Sequence, residues 1–131
     1  MKIHLEEMEG SRHPVIVLDE EPQVQRRNLL YDLLYDVQGS EDLYLAALDR
    51  AEAGKPELNW ANNYVSAKMY PDGRVVIAQL DYLIEDDEKE RPPQIVITIG
   101  EARKLILDWI EARDKWYADR EAQRAAAGQS K

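Results

Sequence analysis

The residues able to do chemistry are few and scattered in this chain. His4 and His13 are the only two histidines, and there is no cysteine. Neither histidine has a second nitrogen or sulfur ligand at metal-binding spacing, so no metal site is expected. No serine stands in a G-x-S-x-G setting, so no nucleophile is assigned. Carboxylates are the abundant group, and Glu85-Asp86-Asp87-Glu88-Lys89-Glu90 concentrates them. That run lacks the alternating acids and the turn glycine of a calcium loop. Magnesium or glycosidase chemistry asks for carboxylates held on rigid elements, whereas this run reads as a loop. The glycines are dispersed, and none forms the G-x-G-x-x-G or phosphate loop that cradles a nucleotide. No catalytic residue, cofactor or metal is assigned, and the chain is read as a non-enzyme.

What the carboxylates offer instead is charge. Seventeen basic residues stand against twenty-six acidic ones, for a formal net charge of −9. Nucleic acid demands a basic face, so it is not an expected partner. An anionic membrane surface is disfavoured for the same reason. The charge favours solubility, which alone accounts for many acidic proteins, and it also suits a basic protein partner reached by electrostatic steering. The acidic contact candidates are Glu85, Asp86, Asp87, Glu88 and Glu90, with Asp19, Glu20 and Glu21 as a second patch. Tyr64 and Tyr70 join them, because tyrosine is large, amphipathic and favoured at interfaces.

The elements that position these residues follow from periodicity. At 131 residues the chain is one domain, long enough to bury a core without disulfides. It has no apolar run of membrane-spanning length, and MKIHLEEME lacks the apolar region of a signal peptide, so it is read as cytoplasmic. Ile3 and Leu5, then Val15 to Leu18, suggest an N-terminal hairpin. Asp19-Glu20-Glu21-Pro22 reads as a helix start, with Leu29, Leu30, Leu33, Leu34 and Val37 as its apolar stripe. Gly39 ends that helix. Ser40 caps a second one, buried through Tyr44, Leu45, Ala47, Leu48 and Ala51 and stopped at Gly54.

Two alternating runs, Trp60 to Tyr70 and Arg74 to Ile84, flank Asp72-Gly73, a strong hairpin signal. A two-residue turn there sets Met69 opposite Val76, Ala67 opposite Ala78 and Val65 opposite Leu80. A three-residue loop, Pro71-Asp72-Gly73, instead faces Val65 with Gln79 and Asn63 with Asp81. The first sorting gives the more apolar face and is the expected register. Gln94 to Ile99 should pair back onto the Arg74 strand. A final helix buries Ala102, Leu105, Ile106, Trp109 and Ile110, and should fray over 118–131. The predicted order is β-β-α-α-β-β-β-α. That is an α+β fold with one antiparallel sheet of about five strands and helices mainly on one face.

Leu58-Asn59-Trp60, Asn62-Asn63-Tyr64, the Asp72-Gly73-x-Val75-x-Ile77 hairpin and Leu107-Asp108-Trp109 in the last helix form a pattern over roughly 54–109. It resembles the small immunity proteins of bacterial contact-dependent growth inhibition systems. The resemblance implies a cytoplasmic, non-enzymatic inhibitor. Such a protein binds the C-terminal toxin domain of a cognate delivery protein, often a nuclease with a basic cleft, and an acidic surface would occlude that cleft. The competing reading is a small ligand-binding or enzymatic α+β domain. It would use the sheet face opposite the helices, with Asn62, Asn63, Tyr64 and Asp81 as the one cluster of polar groups to check.

Overall fold

The structure is a computed structural model that describes residues 2–7, 15–55, 58–61, 64–80 and 93–129. Its elements run β1 (Lys2–Glu6), β2 (Val15–Asp19), α1 (Val24–Val37), α2 (Glu41–Glu52), β3 (Leu58–Ala61), β4 (Val65–Met69), β5 (Arg74–Gln79), β6 (Gln94–Thr98) and α3 (Ile99–Gln129). The α+β class and the three helices match the expectation. The single five-stranded sheet does not: β1 and β2 pair only with each other, and a separate antiparallel sheet has the order β3-β4-β5-β6.

The reason lies in what the N-terminal hairpin buries. Ile16 and Leu18 are buried, and Ile3 and Leu5 pack against the same core. The hairpin reaches that core through the helices, with β2 against α1 and β1 against α3. Helix α1 also packs on β4, β5 and β6, and α3 packs on β5 and β6. These two helices therefore join the two-stranded ribbon to the four-stranded sheet, and the ribbon pairs with no strand of that sheet.

The central hairpin adopts the three-residue loop, which corrects the expected register. Met69 faces Val75, Ala67 faces Ile77 and Val65 faces Gln79. The turn chemistry decides it. Gly73 N–H donates to the Tyr70 carbonyl at 3.1 Å, Tyr70 N–H donates to the Arg74 carbonyl at 2.9 Å, and Gly73 has φ +100°. Proline is favoured at the first inner position of such a turn, and only glycine takes the positive φ without cost. Asp72 secures the corner by accepting the Arg74 backbone N–H at 3.1 Å. That bond, together with the Arg74 guanidinium, holds its carboxyl below the usual range.

The one-residue shift exchanges the faces of β5. Val75 and Ile77 are buried beside Val65, Ala67 and Met69, where Val76 and Ala78 were expected. Strand β6 then pairs on β5 as predicted, with Val75 opposite Ile97 and Ile77 opposite Ile95. The run from Trp60 to Tyr70 is likewise two strands. β3 ends at Ala61, opposite Ser66 of β4.

Helix α1 starts at Val24, beyond Pro22, with no acid in its first turn. Of the three acids expected to serve its dipole, Glu21 is the one that reaches the helix start, accepting Gln23 N–H at 3.3 Å. Helix α3 begins directly from β6 through a reciprocal cap. Thr98 Oγ1 accepts Glu101 N–H at 3.0 Å, and Glu101 Oε1 accepts Thr98 N–H at 3.3 Å. This is the Ser/Thr-x-x-Glu capping arrangement. The helix continues past Tyr117 to Gln129, with residues 121–128 solvent-exposed.

Candidate functional site

Two polar residues lie on the apolar sides of the helices, and both are consumed by the fold. Asp36 occupies the stripe of Leu29, Leu33 and Val37 and is 1% exposed. Its carboxylate accepts Val65 N–H at 2.9 Å and Tyr64 N–H at 3.0 Å, fastening the start of β4 to α1. Glu41 lies one turn before Tyr44 on the buried side of α2. One of its oxygens accepts both Arg113 Nη1 at 2.6 Å and Trp109 Nε1 at 3.3 Å, tying α2 to α3. Neither contact is legible as a pair, but a carboxylate set into a helical apolar stripe is a sequence signal that a buried polar bond is needed.

The second acidic patch is also a structural device. Asp19 faces His4 Nδ1 at 2.5 Å, Glu20 lies 4.0 Å from Lys2, and Glu21 meets Arg26 at 3.3 Å. Arg26 continues to Glu101 at 3.1 Å, which joins the start of α1 to the cap of α3. The Glu6 carboxylate, and then Asp19, hold the His4 imidazole above its ordinary pKa. Each of these three acids therefore has a basic side chain beside it.

The tyrosines are not brought together. Tyr64 and Tyr70 stand at opposite ends of β4, roughly 20 Å apart at about 3.3 Å per strand residue. Tyr64 is 46% exposed. The Tyr70 ring has Arg74 4.5 Å and Lys68 5.5 Å from its centroid, so its surroundings are cationic. Glu85, Asp86, Asp87, Glu88 and Glu90 lie outside the described residues, as do His13, Asn62, Asn63 and Asp81.

The described residues that flank the acidic run in sequence are held by backbone hydrogen bonds. Gln79 N–H donates to the Pro93 carbonyl at 3.0 Å, and Leu80 N–H donates to the Tyr64 carbonyl at 3.2 Å. Gln79 and Pro93 form one wall of an open crevice of about 740 Å³. The opposite wall is α1, through Val24, Gln25, Asn28, Leu29, Tyr31 and Asp32. Asp32 is half-buried and makes no hydrogen bond or ion pair among the described residues. Burial, and then the charge of Asp36 one turn away, push its carboxyl above the usual range. Burial also pushes up the Tyr31 hydroxyl, which shares a 3.3 Å hydrogen bond with Tyr35.

Among the described residues no group of three or more His, Cys, Asp or Glu is placed to hold a metal ion, and no helix is long and apolar enough to cross a membrane. No protein-family model, curated protein or solved structure matches this chain. The site is therefore defined by its own geometry: a carboxylate with no hydrogen-bond or ion-pair partner among the described residues, in a crevice lined by both polar and apolar residues.

Proposed function

We propose that this protein is an immunity-type inhibitor. It binds the C-terminal toxin domain of a cognate contact-dependent growth inhibition protein, a basic domain of nuclease type, and covers its cleft with an acidic surface. It acts in the cytoplasm by occupancy, with no reaction of its own. The resemblance of 54–109 to such proteins motivates the reading. The observation that carries it is the placement of charge. The carboxylates of the β2–α1 junction are matched to Lys2, His4 and Arg26, whereas the sequence concentrates Glu85, Asp86, Asp87, Glu88 and Glu90 between Gln79 and Pro93, two residues that line a crevice with Asp32. Charge concentrated in this way steers association with a basic partner and gives it a strong salt dependence.

The test is co-expression with the reading frame immediately upstream, followed by co-purification. A stable complex with one basic domain is expected, weakened by added salt and by reversing the charge of Glu85, Asp86, Asp87 and Glu88 to lysine. An upstream product with no toxin activity, or a complex indifferent to that reversal, overturns the proposal.

A further inference from the structure

We infer that the crevice between α1 and the Gln79–Pro93 wall is a socket for one arginine side chain of the partner protein. This rests on the reading of the protein as the inhibitor of a basic domain, and it names where that domain's charge is gripped.

Four features of the socket point to a guanidinium. The first is Asp32, a half-buried carboxylate with no cation among the described residues. Such a group gains most from a charged donor brought to it, since its ionised form is otherwise penalised by burial and by Asp36. The second is the set of side-chain amides, Gln25, Asn28 and Gln79, lining the same space. A guanidinium carries five N–H donors in a fixed plane, and amide oxygens beside a carboxylate can take those that the carboxylate leaves over. An ammonium, with three donors on one atom, uses such a spread of acceptors less well. The third is the apolar lining of Leu29 and Pro93, suited to the alkyl stem of a long cationic side chain. The fourth is Tyr31, an aromatic residue of the crevice lining, since aromatic rings pack well on guanidinium planes.

The alternative uses of Asp32 are weaker. Among the described residues Asp32 makes no bond to the fold of the kind Asp36 makes with Val65 and Tyr64. A metal site would need further ligands, and the described residues of the crevice supply one carboxylate.

The probe is N-acetyl-arginine-N-methylamide, titrated into the isotope-labelled protein and followed by NMR. The neutral citrulline analogue is the control. Saturable shifts in the side-chain amides of Gln25, Asn28 and Gln79 are expected with the arginine compound and not with the citrulline one. Asp32→Asn should weaken binding by about tenfold or more, as loss of a charge-assisted pair does. The Asp32→Asn protein remains folded, because the substitution removes a carboxylate that the fold holds partly desolvated. Its unchanged backbone spectrum outside the crevice checks this. Equal shifts from both compounds, or an arginine response untouched by Asp32→Asn, overturn the socket. So does the absence of any saturable shift up to about 100 mM, a generous limit for a single weakly bound side chain. Failure here with co-purification intact removes the socket and leaves the inhibitor. Success here without a toxin partner removes the inhibitor and leaves a guanidinium site.

Discussion

Asp36 shows how one residue type can mislead at the surface and inform in the core. The charge count treats all twenty-six acidic residues alike, yet this one is 1% exposed and bound to two backbone amides. Replacing it by alanine strands the Tyr64 and Val65 N–H groups in the interior and leaves a void under β4. The expected loss is about 3 kcal/mol, the usual cost of removing a charged acceptor from buried donors. Asp36→Asn keeps one acceptor oxygen and costs about half as much. Urea unfolding checks both, with a lowered midpoint and an unchanged slope. Sequence legibility has a clear limit at this scale. The position of Asp36 among Leu29, Leu33 and Val37 says that its carboxylate is buried. Its partners come from β4, remote in sequence, and no local pattern names them. Asp32 shows the converse. It sits one turn earlier in α1 and reads as ordinary helix surface, and only the approach of Gln79 and Pro93 turns it into the wall of a crevice. Asp19, Glu20 and Glu21 read as a free patch because Lys2, His4 and Arg26, which neutralise them, come from a neighbouring strand and from the next helix.

At the scale of elements, periodicity identifies the helices well and the strand partners poorly. The stripes of α1, α2 and α3 were legible because helical burial repeats locally, and Tyr44, Leu48, Leu105, Ile106 and Trp109 are buried as expected. The central hairpin was legible as a hairpin, but its register turned on a single residue of loop. Pro71-Asp72-Gly73 contains both the Asp-Gly of a two-residue turn and the Pro-x-Gly of a three-residue one. The better apolar sorting of the first lost to the backbone preference of the second. Val75 and Ile77 could then be buried because β6 supplies Ile95 and Ile97 opposite them. The expected register scored the hairpin without its third strand, and that is where it failed. Gly73 is the pivot of this result. Alanine there must hold φ +100°, which costs an L-residue about 1–2 kcal/mol. Space is not the obstacle, since a Cβ at Gly73 meets nothing within 4 Å. Gly73→Ala is therefore expected to lower stability by that amount with the fold retained, as read from its thermal midpoint and an unchanged amide spectrum away from the turn. A two-residue register would not place this burden on Gly73 alone. Thr98-x-x-Glu101 is a signal of the same local kind, since its spacing spells out the start of α3 without any tertiary knowledge.

On the scale of the whole molecule the governing quantity is the charge of −9, and it acts in opposite directions on folding and on binding. Within the free protein, contact ion pairs such as Arg113–Glu41 at 2.6 Å and Arg120–Glu7 at 2.6 Å span far less than a screening length. The surplus carboxylates repel one another over longer distances. Raising the salt from about 10 mM to 0.15 M shortens the Debye length from roughly 30 Å to 8 Å, which removes long-range repulsion and weakens the contact pairs much less. Net self-repulsion disfavours the compact state, so the free protein should melt at a higher temperature in the higher salt. The complex with a basic domain draws on the same long-range field with the opposite sign, so its dissociation constant should rise over the same interval. The two measurements together separate the roles of the charge. A melting temperature that rises while affinity falls is expected of an acidic inhibitor steered to a basic cleft. A melting temperature that falls with salt would show that the ion pairs linking β1, α1, α2 and α3 outweigh the surplus. An affinity that holds steady would place the contact on uncharged surface and not on the acidic residues.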